Sequence, residues 1–103
     1  MAQRILALFN LKPGTSVQDY EKWAQTVDIP TVNGLGSIEK FEVYKVTGML
    51  FSEDKPPYDY FELLDILDMD QFGSEAGSET MQKVAAEFQS MVQDLIFMTS
   101  EAF

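Results

Sequence analysis

The sequence predicts an α+β fold, a four-stranded antiparallel sheet with two helices on one face. Three observations carry that expectation. Apolar residues recur at helical spacing in two segments: Val17, Tyr20, Trp23, Ala24 and Val27 in the first, Met81, Val84, Ala85, Phe88 and Met91 in the second. Four segments rich in aliphatic and aromatic residues flank and separate them, as strands do. The outermost two barely alternate: Arg4-Ile5-Leu6-Ala7-Leu8-Phe9-Asn10-Leu11 near the start and Asp94-Leu95-Ile96-Phe97-Met98 near the end. A strand with one wet face alternates apolar with polar, so these two predict a sheet buried on both faces. A chain of 103 residues has too little material to cover both faces with its own helices. The second face is therefore expected to be covered by another copy of the chain.

Taken in order, strand one spans residues 3–11. Lys12-Pro13-Gly14-Thr15 is a turn, with Pro13 fixing φ and Gly14 supplying a permissive backbone. Ser16 is the N-cap of helix one, and Asp19 suits the positive helix end. The helix is expected to stop before Pro30, because the residue ahead of a proline avoids the α region. That leaves residues 28–36 as a loop. Strand two covers 38–47, a loop with a polar end covers 48–57, and strand three covers 58–67. Asp68 caps a short helical turn over 69–72, and 73–78 is a break. Helix two runs over 79–91 and strand four over 94–101. The order β-α-β-β-α-β with right-handed crossovers is the ferredoxin-like sandwich. Residues 1–103 are read as a single domain.

Composition excludes several classes of function. The formal net charge is −10. Such a surface repels phosphate backbones and anionic lipid, so neither nucleic acid nor membrane is an expected partner. No run of apolar residues is long enough to span a bilayer. The apolar run after Arg4 is short and lacks a small-residue cleavage site, so it reads as a strand rather than a signal peptide. There is no cysteine, which removes thiolate chemistry and fits a cytoplasmic location. There is no histidine, which removes the commonest general base near neutral pH and the commonest transition-metal ligand. Proton handling would fall to Asp, Glu, Lys or Tyr. No phosphate-cradling glycine loop or metal-binding loop is present, so no cofactor or metal is expected.

Each candidate site residue carries two readings. Trp23 is either core of helix one or a flat wall against an aromatic ligand, with its N–H as a donor. Asp28 lies where the helix dipole disfavours an acid. It either accepts backbone N–H bonds locally, or acts as a general base or partner to a ligand N–H, with its pKa raised if buried. Asn33 either holds φ > 0 in a turn with Gly34 or orients a ligand carbonyl. Tyr44 and Tyr60 pack in strands, or line a flat apolar cavity together with Trp23, Phe41 and Phe61. Glu62 and Asp65 are acids inside an apolar strand and point to opposite faces. A carboxylate cannot be buried there without a partner. One of them is expected in a cavity with a raised pKa, and the other to cross the chain–chain interface and pair with Arg4 or Lys45.

Three motifs, all in order, carry a resemblance. They are Lys12-Pro13-Gly14 before an amphipathic helix; Trp23, Asp28-Ile29-Pro30 and Val32-Asn33-Gly34-Leu35 leading into Ile38-Glu39-Lys40-Phe41-Glu42-Val43; and the strand-to-helix run over residues 61–72. Over essentially its whole length the chain resembles the dimeric α+β barrel proteins, and within them the RedY-like family of prodigiosin-type pigment clusters. The resemblance implies a small cytoplasmic homodimer paired through its sheet face. It also implies a small aromatic ligand, pyrrole- or indole-derived, held between helices and sheet, with Asp28 beside the pocket mouth. Relatives in the wider superfamily include cofactor-free monooxygenases, isomerases and cyclases. Several use a histidine that this chain lacks.

Three classes of function follow. The first is a cofactor-free tailoring enzyme, with Asp28 and Glu62 moving protons and Trp23, Asn33, Tyr44, Tyr60 and Asp65 binding the ligand. The second is a non-catalytic carrier or stabilising accessory protein. The third is a structural homodimer that docks a partner through its acidic surface.

Overall fold

The computed structural model describes residues 3–103. Four strands, β1 (Gln3–Leu11), β2 (Ile38–Lys45), β3 (Tyr60–Ile66) and β4 (Val92–Glu101), form one antiparallel sheet in the order β2-β3-β1-β4. Helices α1 (Val17–Trp23), α2 (Ile29–Asn33), α3 (Met69–Ala76) and α4 (Glu79–Met91) complete the chain. This is the expected α+β, ferredoxin-like arrangement. The Ser16, Asp68 and Ser78 side chains each accept from a backbone N–H three residues on, capping α1, α3 and α4.

Strand alternation decides which side chains meet the helices. From β1, Ile5, Ala7 and Phe9 point inward; from β3, Tyr60, Glu62, Leu64 and Ile66 do so. Two bulges keep the edge strands in phase. On β4, Asp94 adopts φ 58° where the pairing with β1 shifts between Leu8 and Asn10. The extra residue turns Leu95 and Phe97 toward the helices and leaves Ile96 and Met98 outside. On β2 a similar shift between Ile38 and Lys40 keeps Ile38, Phe41 and Val43 inward.

The core is two abutting clusters. One gathers Ile5, Val32, Ile38, Phe41, Leu64 and Ile66; the other gathers Phe9, Tyr20, Ala24, Tyr60, Phe88 and Val92. Val43 touches both. Phe9 anchors the second, with rings of Tyr20 and Phe88 edge-on and Tyr60 stacked, centroids 5.0–5.7 Å away.

The structure corrects the expected loop over 28–36. The helix does not stop before Pro30. It widens into one π-helical turn over Ala24–Asp28 and resumes as α2. Ile29, directly ahead of the proline, keeps helical angles and donates to Ala24 O, five residues back. The wide turn and the position of Pro30 in the first turn of α2 accommodate a residue with no N–H to give. Asn33 consequently ends α2 instead of holding a positive φ, and Gly34 sits at φ −80°. Smaller corrections concern element ends. The short turn after Asp68 continues through Gly73 to Ala76, β4 begins at Val92, β2 stops at Lys45, and β3 starts at Tyr60.

The outer sheet face has an apolar centre that no element of the single chain covers among the described residues. Leu6 pairs with Leu63 and Met98, and Leu8 with Phe61 and Ile96. Tyr44 stacks on Phe61 with centroids 5.0 Å apart. Tyr44, Ile96 and Met98 are exposed.

Candidate functional site

Glu62 is the one charged residue on the inward face of β3. Its neighbours across the sheet, Ala7 on β1 and Val43 on β2, offer no polar partner. A buried acid needs one, and it comes from the helix side. Asp28 closes the π turn, and the extra residue in that turn brings its carboxyl onto the sheet-facing side. Asp28 and Glu62 are each only 5% exposed, and their side chains are hydrogen-bonded to each other.

Two carboxyls can bond to one another only through a proton. Glu62 is the donor and Asp28 the acceptor. Burial drives the Asp28 pKa from an ordinary 3.8 to about 7, against the opposing effect of the bond from Glu62. Burial also holds Glu62 well above its usual range, reinforced by the Asp28 charge and by the bond it donates. The two therefore titrate as a coupled pair that retains a proton at neutral pH.

The pair lies on the wall of a cavity of about 200 Å³. The rest of that wall is apolar: Val32 from α2, Phe41 from β2, Leu64 from β3, Phe72 from α3, Val84 and Phe88 from α4, and Phe97 from β4. A second cavity of about 190 Å³ lies one step along the same face, lined by Tyr20, Ala24, Gln25, Ile29, Val43 and Tyr60. Glu21 and Lys45 also line it, 3.5 Å apart as an ion pair.

Of the other residues singled out from the sequence, Tyr60 lines the second cavity and donates its hydroxyl to Glu21 at 2.6 Å. Trp23 packs on Phe88, centroids 6.2 Å apart, and gives its indole N–H to Glu87 at 2.7 Å. It stands behind the cavity wall, with its donor already engaged. Asn33 is a clamp: its amide donates to Ile29 O and Phe41 O and accepts from Phe41 N, all at 2.9–3.0 Å. It ties α2 to β2 and does not line either cavity. Tyr44 is on the outer face, with its hydroxyl on Glu42. Asp65 is there too, but it does not reach across an interface as expected: it lies opposite Arg4 on the neighbouring strand and pairs with it within the same chain. Of the two strand acids, Glu62 faces the cavity and Asp65 the outer face.

Tyr20 was not a sequence candidate. It is fully buried, and its hydroxyl has no hydrogen-bond partner among the described residues. No cluster of three or more metal-ligating Asp or Glu side chains converges among the described residues. No helix there is long and apolar enough to cross a membrane.

No curated protein matches the chain in sequence. Among solved structures, it is similar to HapK from Hahella chejuensis (TM-score 0.81, 23% identity, covering 98% of this chain and 92% of that one). It is also similar to an Arabidopsis thaliana protein (TM-score 0.79, 12% identity, 100% and 96% covered). A third is a dimeric ferredoxin-like protein of unknown function from Thermobifida fusca (TM-score 0.78, 15% identity, 99% and 92% covered). At such identities these likenesses speak for the fold. The family model of the REDY-like protein HapK matches residues 3–103, which include the Asp28 turn, the Asn33 clamp and the strand bearing Glu62, and the chain belongs to that family.

Proposed function

We propose that this chain is a homodimeric, single-domain protein of aromatic secondary metabolism. It binds a flat pyrrole- or indole-type intermediate between helices and sheet and moves a proton with the Asp28–Glu62 pair, without a cofactor. The observation that carries the reading is the pair itself: two hydrogen-bonded carboxyls on the wall of an otherwise apolar cavity. Acids whose pKa is perturbed by burial and by a charged partner inside an apolar pocket are candidates for a functional site. Family membership supports the pigment-type chemistry. The apolar outer face of Leu6, Leu8, Phe61, Leu63, Ile96 and Met98 supports pairing through the sheet, as does the dimeric description of the Thermobifida fusca relative.

The test is a titration of Trp23 emission with 2,2′-bipyrrole and indole-type compounds, recording absorbance in the same cuvette. Trp23 stacks on Phe88, which lines the cavity, so occupancy should quench it. Wild type is expected to bind saturably, and Asp28→Asn or Glu62→Gln to weaken binding or remove the spectral change. Saturable binding with an unchanging spectrum in every variant would make the protein a carrier. No saturable binding at all would refute the reading.

A further inference from the structure

Among the described residues, Tyr20 presents a donor with nothing to donate to. Its ring is held on three sides, edge-on to Phe9 and tilted against Tyr60 and Trp23. Its hydroxyl is out of water and unbonded, a cost that an unpaired buried group bears in full. Tyr20, Ala24 and Asp28 follow one another on the buried side of the helix. Tyr60, whose ring lies 4.9 Å from that of Tyr20, is two residues from Glu62 on the inward face of β3. Tyr20 thus shares one buried layer with the acid pair, without a hydrogen bond to either acid.

We infer that Tyr20 is the third member of this site, a positioning residue whose hydroxyl turns to the Asp28 carboxylate when Asp28 gives its proton to the ligand. The inference rests on the proposed function. It fixes the direction of transfer and hence the ligand class, a planar aromatic with a weakly basic ring nitrogen or conjugated carbonyl oxygen. The O–H bond of Asp28 breaks, and a lone pair on the ligand takes the proton. The new carboxylate accepts from the Glu62 O–H, which keeps its proton, and from the Tyr20 O–H. One buried anion is then held by two donors, and the ligand cation lies against it. The other charged or titratable groups facing this layer are Tyr60 and Glu21, and Glu21 is paired with Lys45. From β1, α3, α4 and β4 the layer receives apolar side chains such as Ala7, Phe72, Phe88 and Phe97.

Tyr20→Phe tests this, because it keeps the ring and removes only the hydroxyl. In the unliganded protein the Asp28 ionisation midpoint, read by carboxyl-carbon NMR, should rise by about one to two pH units, the equivalent of one charge-assisted hydrogen bond. Thermal stability below that midpoint should be unchanged or higher, since an unpartnered buried hydroxyl is lost. The ligand probe is norharmane, whose absorbance distinguishes its cation from the neutral form. Carbazole, of the same shape without the basic nitrogen, is the control. Wild type should hold norharmane as the cation at neutral pH. Tyr20→Phe should lower the bound cation-to-neutral ratio about tenfold and leave carbazole affinity unchanged.

An unshifted Asp28 midpoint together with an unchanged ratio would overturn the role of Tyr20 and leave the proposed function standing. A fall of several degrees in the Tm of Tyr20→Phe would mean the hydroxyl is already satisfied, and would overturn it too. Norharmane bound as the neutral form would overturn the direction of transfer alone. Failure of both probes to bind would take down the proposed function and this inference together.

Discussion

Replacing both buried acids by their amides, Asp28→Asn with Glu62→Gln, should flatten the pH dependence of folding stability. An ionised Asp28 is favoured in the unfolded chain above its ordinary 3.8, but in the fold only above about 7. Below about pH 4 both states hold the proton. Between about 4 and 7 only the folded state does, so stability falls as pH rises. Above about 7 neither does, and the full cost is present. The window is roughly three pH units at about 1.4 kcal/mol each, so Asp28 alone accounts for about 4 kcal/mol. Between pH 5 and 8 the share is about 2–3 kcal/mol, and Glu62, shifted in the same direction, adds to it. The assay is urea denaturation of wild type and double variant across that range, comparing extrapolated free energies. The double variant serves as reference because surface carboxylates are common to both. Wild type should lose stability relative to it as pH rises. Parallel curves, or a wild type that gains on the variant, would refute a buried proton-sharing pair.

Three further outcomes are expected. Asn33→Ala strips partners from Ile29 O, Phe41 O and Phe41 N, and should cost about 2–4 kcal/mol by thermal denaturation while α4 stays formed. Leu63→Lys puts a charge at the centre of the outer sheet face; sedimentation should show a monomer where wild type sediments as a dimer, and an unchanged mass would exclude pairing through that face. Glu87→Ala frees the Trp23 N–H and should shift its emission to the blue at a cost of about 1 kcal/mol, with the same ligand affinity because neither side chain lines a cavity.

The parts that sequence made legible are those carried by periodicity. The α4 boundaries and the opposed faces of Glu62 and Asp65 follow from spacing of 3.6 or of two residues, and the caps at Ser16 and Asp68 from residue type. Glu62 stands out as an acid in an apolar strand, and Asp28 as an acid where the helix dipole disfavours one. What stayed hidden depended on partners distant in the chain. The acceptor for Trp23 is 64 residues away, and the amide of Asn33 reads the backbone of a strand. The π turn has no sequence code of its own, and Pro30 pointed the other way, to a helix end. Its position just inside a new helical turn was the available signal, since proline is at home there. Tyr20 fits the apolar stripe so well that its ring explains it completely, and only its hydroxyl does not.

Stability does not account for the pair. A domain of this size is held by roughly 5–15 kcal/mol, and at alkaline pH Asp28 alone withdraws about 4. Two amides of nearly the same shape could hydrogen-bond across the same gap with no ionisation cost, and two apolar side chains could fill it. Neither could hold a proton that becomes available near neutral pH. The π turn that aims Asp28 inward and the unpaired hydroxyl of Tyr20 are further departures from the most stable packing, and all three meet at one layer beside the cavities. Local costs gathered in one place support a site selected for what it does to a bound molecule rather than for holding the sheet and helices together.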